Sequence, residues 1–304
     1  MFAAAGFETD ALIDAGPEPQ AGTIVPASSK MTSKTGDFDK NFRVLKSYLM
    51  TLSDANLRRL QRRYIALGLT VAPVAPMLFL QGQITRWKVG VLPDAAGARE
   101  GTVGSGNDAA KLWVMGESTV AGLGARDHTR ALAGQFAKNL SDHLERPIHW
   151  RVLGKNGVTA RRVIDELLPQ MPNEHFDYVL LGIGGNDVMT LSSPVKWRRD
   201  MLELIDRVRK RQPEAIIFIS NCPMIILSPV IPEPAKALLW QLSRMHDENI
   251  KEFARDLDRV VYYPQPVGVK LEGFFADGIH PSEQGYADWA QAMVEYFATR
   301  HDKW

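Results

Sequence analysis

Two hydrophobic periods alternate along the chain from Leu112 onward. Short apolar runs at 112–115, 148–153, 178–183, 215–220 and 260–263 are too brief for helices, and most are rich in β-branched or aromatic residues, which predicts five strands. Between and after them the apolar positions step as on one face of a helix. Leu132, Phe136 and Leu140 are spaced by four, as are Val163 and Leu167; Met201, Ile205 and Val208 follow at four and three; Tyr286, Trp289, Met293 and Phe297 line a last helix. Strand and helix in regular succession predict an α/β domain over 111–304, with a parallel sheet covered on both faces and ligands bound at the carboxyl ends of its strands.

The first hundred residues follow another pattern. Up to about position 40 the chain is rich in Ala, Gly, Ser, Thr and Pro with no apolar period, so 1–63 is expected to be a disordered or partly helical tail. Residues 64–85 are uncharged, and as a helix they would reach about 33 Å, close to one hydrocarbon thickness. Arg58, Arg59, Arg62 and Arg63 precede this run, and Arg86 and Lys88 follow it, so the positive-inside bias favours an inner-membrane anchor with the following domain periplasmic or extracellular. Pro73, Pro76, Gly68 and Gly82 weaken a spanning helix. The apolar core at 64–80 therefore also suits a segment lying on a membrane or packed on the protein, with a cytoplasmic domain as the alternative. Residues 86–110, with Pro93, Gly97, Gly101, Gly104 and Gly106, are expected to be a linker.

Composition narrows the classes. Hydrophobic residues make up 45% of the chain, which disfavours disorder throughout. Lys and Arg number 36 against 35 Asp and Glu, for a net charge of +1, so no global basic field holds a nucleic acid. The single cysteine, Cys222, excludes an internal disulfide and a Cys-cluster metal site.

The candidate chemistry lies in the loops after the predicted strands. The first strand runs into Gly116-Glu117-Ser118-Thr119, so Ser118 falls at the carboxyl edge of the sheet, where a hydroxyl can act as a nucleophile. A serine in such a turn also serves as an ordinary helix cap. Val120 stands where the Gly-x-Ser-x-Gly elbow needs its second glycine, so a different serine architecture is required. After the last strand, Asp277-Gly278-Ile279-His280 sets an acid three residues before a histidine in a loop opening the last helix. Asp277 can bond one imidazole nitrogen and leave the other aimed at a serine or substrate. The competing readings are a histidine held by a local hydrogen bond and an Asp-His metal pair, the latter lacking any further His or Cys cluster at ligand spacing.

The third strand ends in Gly182-Ile183-Gly184-Gly185-Asn186-Asp187, where Asn186 presents an amide donor; Asp187 occupies the place of the third glycine of a dinucleotide fingerprint, which therefore fails. The second strand is followed by Gly154-Lys155-Asn156-Gly157-Val158-Thr159, a turn that bares backbone N–H groups before a helix. Together the four loops offer a nucleophile, oxyanion donors and an Asp-His base, the set that acyl transfer requires.

In this order the blocks resemble the SGNH (GDSL-type) hydrolase family over about 112–297. Gly116-Glu117-Ser118 stands in the serine block, Gly157 in the glycine block, Gly184-Gly185-Asn186-Asp187 in the Gly-x-Asn-Asp block and Asp277-Gly278-Ile279-His280 in the Asp-x-x-His block. The segments 78–82 and 92–97 resemble bacterial members with an apolar N-terminal anchor. The resemblance implies a flavodoxin-like three-layer α/β/α sandwich with a five-stranded parallel sheet, and neither a metal nor an organic cofactor. It implies that Ser118 attacks an acyl carbonyl, His280 is the general base and Asp277 orients it. The oxyanion would be held by the backbone N–H groups of Ser118 and Gly157 and by the Asn186 side-chain amide. Glu117 departs from the family pattern, which has aspartate there.

The expected activity is that of a serine-dependent carboxylic ester hydrolase of the esterase or lipase type, acting on a small-molecule or lipid acyl ester. An acyltransferase, a carbohydrate O-deacetylase and a membrane-tethered binding protein without turnover are the alternatives. After the fourth strand, Met224, Ile225 and Leu227 belong to an apolar, proline-punctuated loop that lines an acyl pocket or packs in the core.

Overall fold

The computed structural model describes residues 55–268 and 272–299. Most of the tail expected over 1–63 lies outside them; its end is helical from Ala55. Among the described residues six strands form one sheet: β1 (Glu100–Val103), β2 (Ala110–Gly116), β3 (Ile148–Gly154), β4 (Tyr178–Gly182), β5 (Ile216–Ile219) and β6 (Val260–Tyr262), in the spatial order β1-β3-β2-β4-β5-β6. The last five run parallel and match the five strands expected from the apolar runs. Numbered among themselves, these five have the order 2-1-3-4-5 of a flavodoxin-like sheet, whose switch point lies beside its first strand, here β2.

The strand count is corrected from five to six. β1 pairs antiparallel with β3 inside the stretch expected to be a linker. Its sequence, Glu-Gly-Thr-Val, has no apolar run, because an edge strand with alternate residues exposed needs main-chain pairing more than burial.

Period-two alternation assigns each face of the sheet. Leu112, Val114, Leu180 and Phe218 point to one side and meet α3 (Leu132–Leu144) and α8 (Glu283–Ala298) through Phe136, Leu140, Met293 and Phe297. Trp113, Met115, Leu181 and Ile217 point to the other side. They meet a short α4 (Ala160–Arg162), the irregular turns that continue it to Gln170, and α6 (Pro194–Arg211) and α7 (Ala235–Ala254). A five-residue α5 (Gly185–Met189) follows β4 directly.

Before the sheet, α1 (Ala55–Val71) is joined by a 3-10 turn, Ala72–Val74, to α2 (Ala75–Val89). Together, Ala55–Val89 is long and apolar enough to cross a membrane by length and composition. Leu57 and Leu60 of α1 are buried where it lies against α6 and α7, and Tyr64 packs with Ile225, Ile231 and Leu242.

Candidate active site

The loops after β2, β3, β4 and β6 converge at the carboxyl end of the sheet on a cleft of about 1170 Å³. Ser118, two residues beyond β2, is buried except for 7% of its surface. His280 comes from the loop before α8, 162 residues later, and its Nε2 lies 3.1 Å from Ser118 Oγ. The other ring nitrogen, Nδ1, lies 2.8 Å from Asp277 Oδ2.

Asp277 is built to hold that ring. Its Oδ1 accepts the backbone N–H groups of Ile279 and His280 at 2.9 and 2.7 Å, a local turn that leaves Oδ2 for the imidazole. Burial alone would raise this carboxyl, yet the hydrogen bonds from the imidazole and the two amides outweigh it and hold Asp277 below the ordinary aspartate value. An ionised carboxylate only accepts, so Nδ1 carries the proton and Nε2 presents its lone pair to the serine hydroxyl. Two residues on, Ser282 caps α8 by accepting the Gly285 N–H, which ties the loop to the start of the helix.

Two glycines compete for the turn after β3, and their surroundings separate them. A Cβ at Gly154 would lie 2.1 Å from the Ala121 backbone nitrogen, so this glycine permits close packing of two loops. Gly157 has φ +78 and no neighbour within 4 Å of such a Cβ; it lines the cleft with Ser118, Asn186 and His280. Its glycine is required by backbone conformation.

Glu117, the departure from the family pattern, reaches across to the β4 loop. One carboxylate oxygen accepts the Gly185 N–H at 2.8 Å; the other accepts the Asn186 backbone N–H at 2.8 Å and its side-chain Nδ2 at 2.7 Å. The Asn186 amide is thereby fixed by one of its two N–H bonds, with the second left for the cleft that Asn186 lines. Burial pushes the Glu117 carboxyl up to about 7, against the pull of these three donors. Asp187 joins a second pair of loops: its Oδ2 accepts the Ala160 N–H at 2.8 Å, so the β4 loop is fastened to the turn that carries Gly157. Burial likewise raises Asp187, to about 6.

Met224, Ile225 and Leu227 all line the cleft. Sequence reasoning did not anticipate three features: the bridging of Glu117, the fastening by Asp187, and the part that 81–91, the last turns of α2 and the two residues beyond them, takes in the same cleft wall. The acidic pair had a signal in the sequence, since each belongs to one of the four motif blocks; the approach of α2 had none. Among the described residues no group of three or more His, Cys, Asp or Glu is placed to hold a metal ion.

Residues 114–287, from within β2 to the first turns of α8, match the GDSL-like Lipase/Acylhydrolase family. The GDSL-like esterase Rv1075c of Mycobacterium tuberculosis is 24% identical over 192 residues, and the match covers 58% of this chain and 58% of that protein's length. Similar solved structures include the lipase Lip_vut3 from a goat rumen metagenome, with a TM-score of 0.49 and 12% identity over 62% of this chain and 96% of that one. The family 3 carbohydrate esterase of Clostridium thermocellum has a TM-score of 0.49 and 18% identity over 63% of this chain and 96% of the other. At such identities it is the family match that decides the assignment, and because it spans more than half of the 304 residues, this chain belongs to the GDSL-like Lipase/Acylhydrolase family of SGNH hydrolases.

Proposed function

We propose that the protein is a serine-dependent carboxylic ester hydrolase. The observation that carries this reading is the unbroken relay from Ser118 Oγ through His280 Nε2 and Nδ1 to Asp277, at 3.1 and 2.8 Å. In the first step His280 accepts the hydroxyl proton as Ser118 Oγ bonds to the acyl carbon, and the carbonyl π pair moves onto oxygen. The oxyanion is met by the N–H groups of Ser118 and Gly157 and the second Nδ2–H of Asn186. Collapse expels the alcohol, which takes the proton from His280, and water then releases the acid by the same steps in reverse roles. The chemistry uses side chains and main-chain donors of this chain alone. Attachment to a membrane through 64–80 belongs to the same reading, with a small-molecule or lipid acyl ester as substrate.

Hydrolysis of a chromogenic short-chain ester and labelling by a fluorophosphonate test it. Ser118→Ala is expected to lose both, since Ser118 is the cleft hydroxyl that lies in hydrogen-bond contact with His280. Asn186→Ala is expected to keep the label while kcat falls roughly 10² to 10³-fold with KM little changed, the cost of one oxyanion donor. A Ser118→Ala protein that folds normally and retains turnover refutes the assignment. Product analysis with alcohol acceptors separates hydrolysis from acyl transfer, and an acetylated sugar that outcompetes simple esters would favour the O-deacetylase.

A further inference from the structure

The apolar helix does not stand away from the domain. In α1 the sheltered positions beyond the buried Leu57 and Leu60 include Tyr64, Leu67 and Val71, and in α2 they are Leu78, Gln81, Thr85 and Val89, at steps of three and four. One side of both helices is thus partly sheltered, with full burial confined to Leu57 and Leu60. Polar contacts fasten it at both ends of the uncharged run: Tyr64 Oη donates to the Leu191 carbonyl at 2.9 Å, and Gln81 Nε2 donates to the Glu233 carbonyl at 3.0 Å. Arg59 and Arg63, half of the basic flank that would orient a spanning segment, pair with Glu248 of α7.

The opposite face is open and apolar. Ile65, Leu69, Met77, Leu80, Ile84 and Trp87 are between 44% and 83% exposed. The apolar surface continues onto the cleft, whose wall includes exposed Val91, Met189 and Val267. A spanning helix needs hydrocarbon around it over about 30 Å, whereas this run is tied to its own domain at Tyr64 and Gln81 and is partly sheltered along one side of both helices. A helix lying in the interface needs one apolar face, basic residues at its borders and an amphipathic aromatic at headgroup level. Arg62, Arg86 and Lys88 supply the first border groups, and Trp87, 83% exposed, supplies the aromatic.

We propose that α1 and α2 seat in one leaflet of a phospholipid bilayer, parallel to its surface and on the same side as the hydrolase domain. The cleft mouth then meets the lipid, and the substrate is an acyl ester resident in that leaflet. The placement rests on the structure of the helices; the substrate class rests in addition on the ester-hydrolase reading. A basic border and an interfacial tryptophan favour lipid over a second copy of this chain as the cover of this face.

Full-length protein reconstituted with sealed phosphatidylethanolamine and phosphatidylglycerol vesicles tests the topology. Cys222 is buried, so Ala55→Cys, Lys88→Cys and Asp258→Cys variants report through an impermeant maleimide. All three are expected to label from the same side. Protection of Ala55→Cys until the vesicles are lysed, with Lys88→Cys and Asp258→Cys labelled, would establish a spanning helix and overturn the proposal. The double variant L69E/L80E is expected to lose vesicle flotation and at least about tenfold of its turnover on a vesicle-borne ester, with soluble short-chain ester hydrolysis kept. Wild-type protein that is a stable dimer without vesicle binding, made monomeric by the same substitutions, would assign the face to a second copy and overturn it as well. Absence of short-chain hydrolysis in the wild type would strike at the enzymatic reading and leave the flotation result standing.

Discussion

Glu117 links two loops that sequence alone treats as separate. Its carboxylate accepts three N–H donors of Gly185 and Asn186, which joins the β2 loop to the β4 loop. A Cβ at Gly185 would lie 2.7 Å from that carboxylate, so the glycine and the glutamate form one fitted contact. Replacing Glu117 with Gln turns an N–H toward one of the three donors. The Asn186 amide then loosens, and kcat on a short-chain ester is expected to fall roughly 10 to 100-fold, as for loss of a hydrogen bond to a charged acceptor of about 1.5–3 kcal/mol. Because burial raises the Glu117 carboxyl to about 7, it gains a proton as the pH falls through that value and loses its grip on the amide. The wild-type acid limb of kcat should therefore be steeper than a single protonation allows. In Glu117→Gln the limb should relax to one proton; an unchanged slope would mean that Glu117 does not act on the site.

Among the elements, those that read clearly from sequence bury simple apolar stripes, and those that did not bury something else. The five parallel strands and the helices marked by Phe136, Met201 and Met293 all present apolar stripes to the sheet, although the second also buries Arg198 and Asp200 beside its stripe. α7 does not: Ser243, His246, Asp247 and Asn249 are buried with Leu242, Met245 and Ile250, so polar side chains dilute its period. These buried groups are bonded to neighbouring elements. Asn249 bonds Arg198 and the Pro194 carbonyl, Asp247 accepts the Tyr262 hydroxyl, and His246 stacks on Trp197 at a centroid distance of 5.0 Å while Nε2 donates to the Ser192 carbonyl at 2.9 Å. The four chemical blocks were legible because their residue types are rare in combination; which glycine of the β3 turn faces the cleft depends on Ala121, a contact outside the block.

The same helix sets an acid response. Burial, assisted by the nearby Lys196 charge, lowers His246 to about 4, so the unfolded chain takes up this proton near the ordinary histidine value while the folded chain resists it. The stability contributed by neutral His246 is complete above about pH 6.5 and drains away as the pH falls toward 4, by about 3 kcal/mol at the lower end. Glu117 and Asp187, raised by burial from 4.5 to about 7 and from 3.8 to about 6, act in the opposite sense across most of this range, since the folded state holds their protons more tightly. Comparing urea midpoints of the wild type and His246→Phe from pH 7.5 to 4 isolates the histidine. The variant should be the less acid-sensitive of the two; parallel curves would show that His246 is not buried neutral.

At the scale of the whole molecule, the folded unit begins well before the first parallel strand. β1 covers the free edge of β3, and α1 buries Leu57 and Leu60. A chain starting at Lys111 would leave the β3 edge unpaired and strip two large apolar side chains from α6 and α7. It is expected to melt at lower temperature and to self-associate more than a chain starting at Val91, which loses α1 as well but keeps β1. Calorimetry and light scattering on the two truncations check this, and equal behaviour would show that β1 contributes nothing to the domain.

Ser118 and His280 meet across 162 residues of intervening chain. During synthesis, at about 5–20 residues per second, the histidine is joined to the growing polypeptide roughly 8–30 s after the serine. For that interval the serine has no base, and α8, whose first turn anchors the histidine loop, has not yet been made. On the proposed ester-hydrolase reading, a ribosome-bound fragment that already contains the first strands of the sheet is therefore chemically silent toward esters. On that reading, reactivity arrives only with the segment that carries His280, and a product terminated before it is inert toward the esters around it.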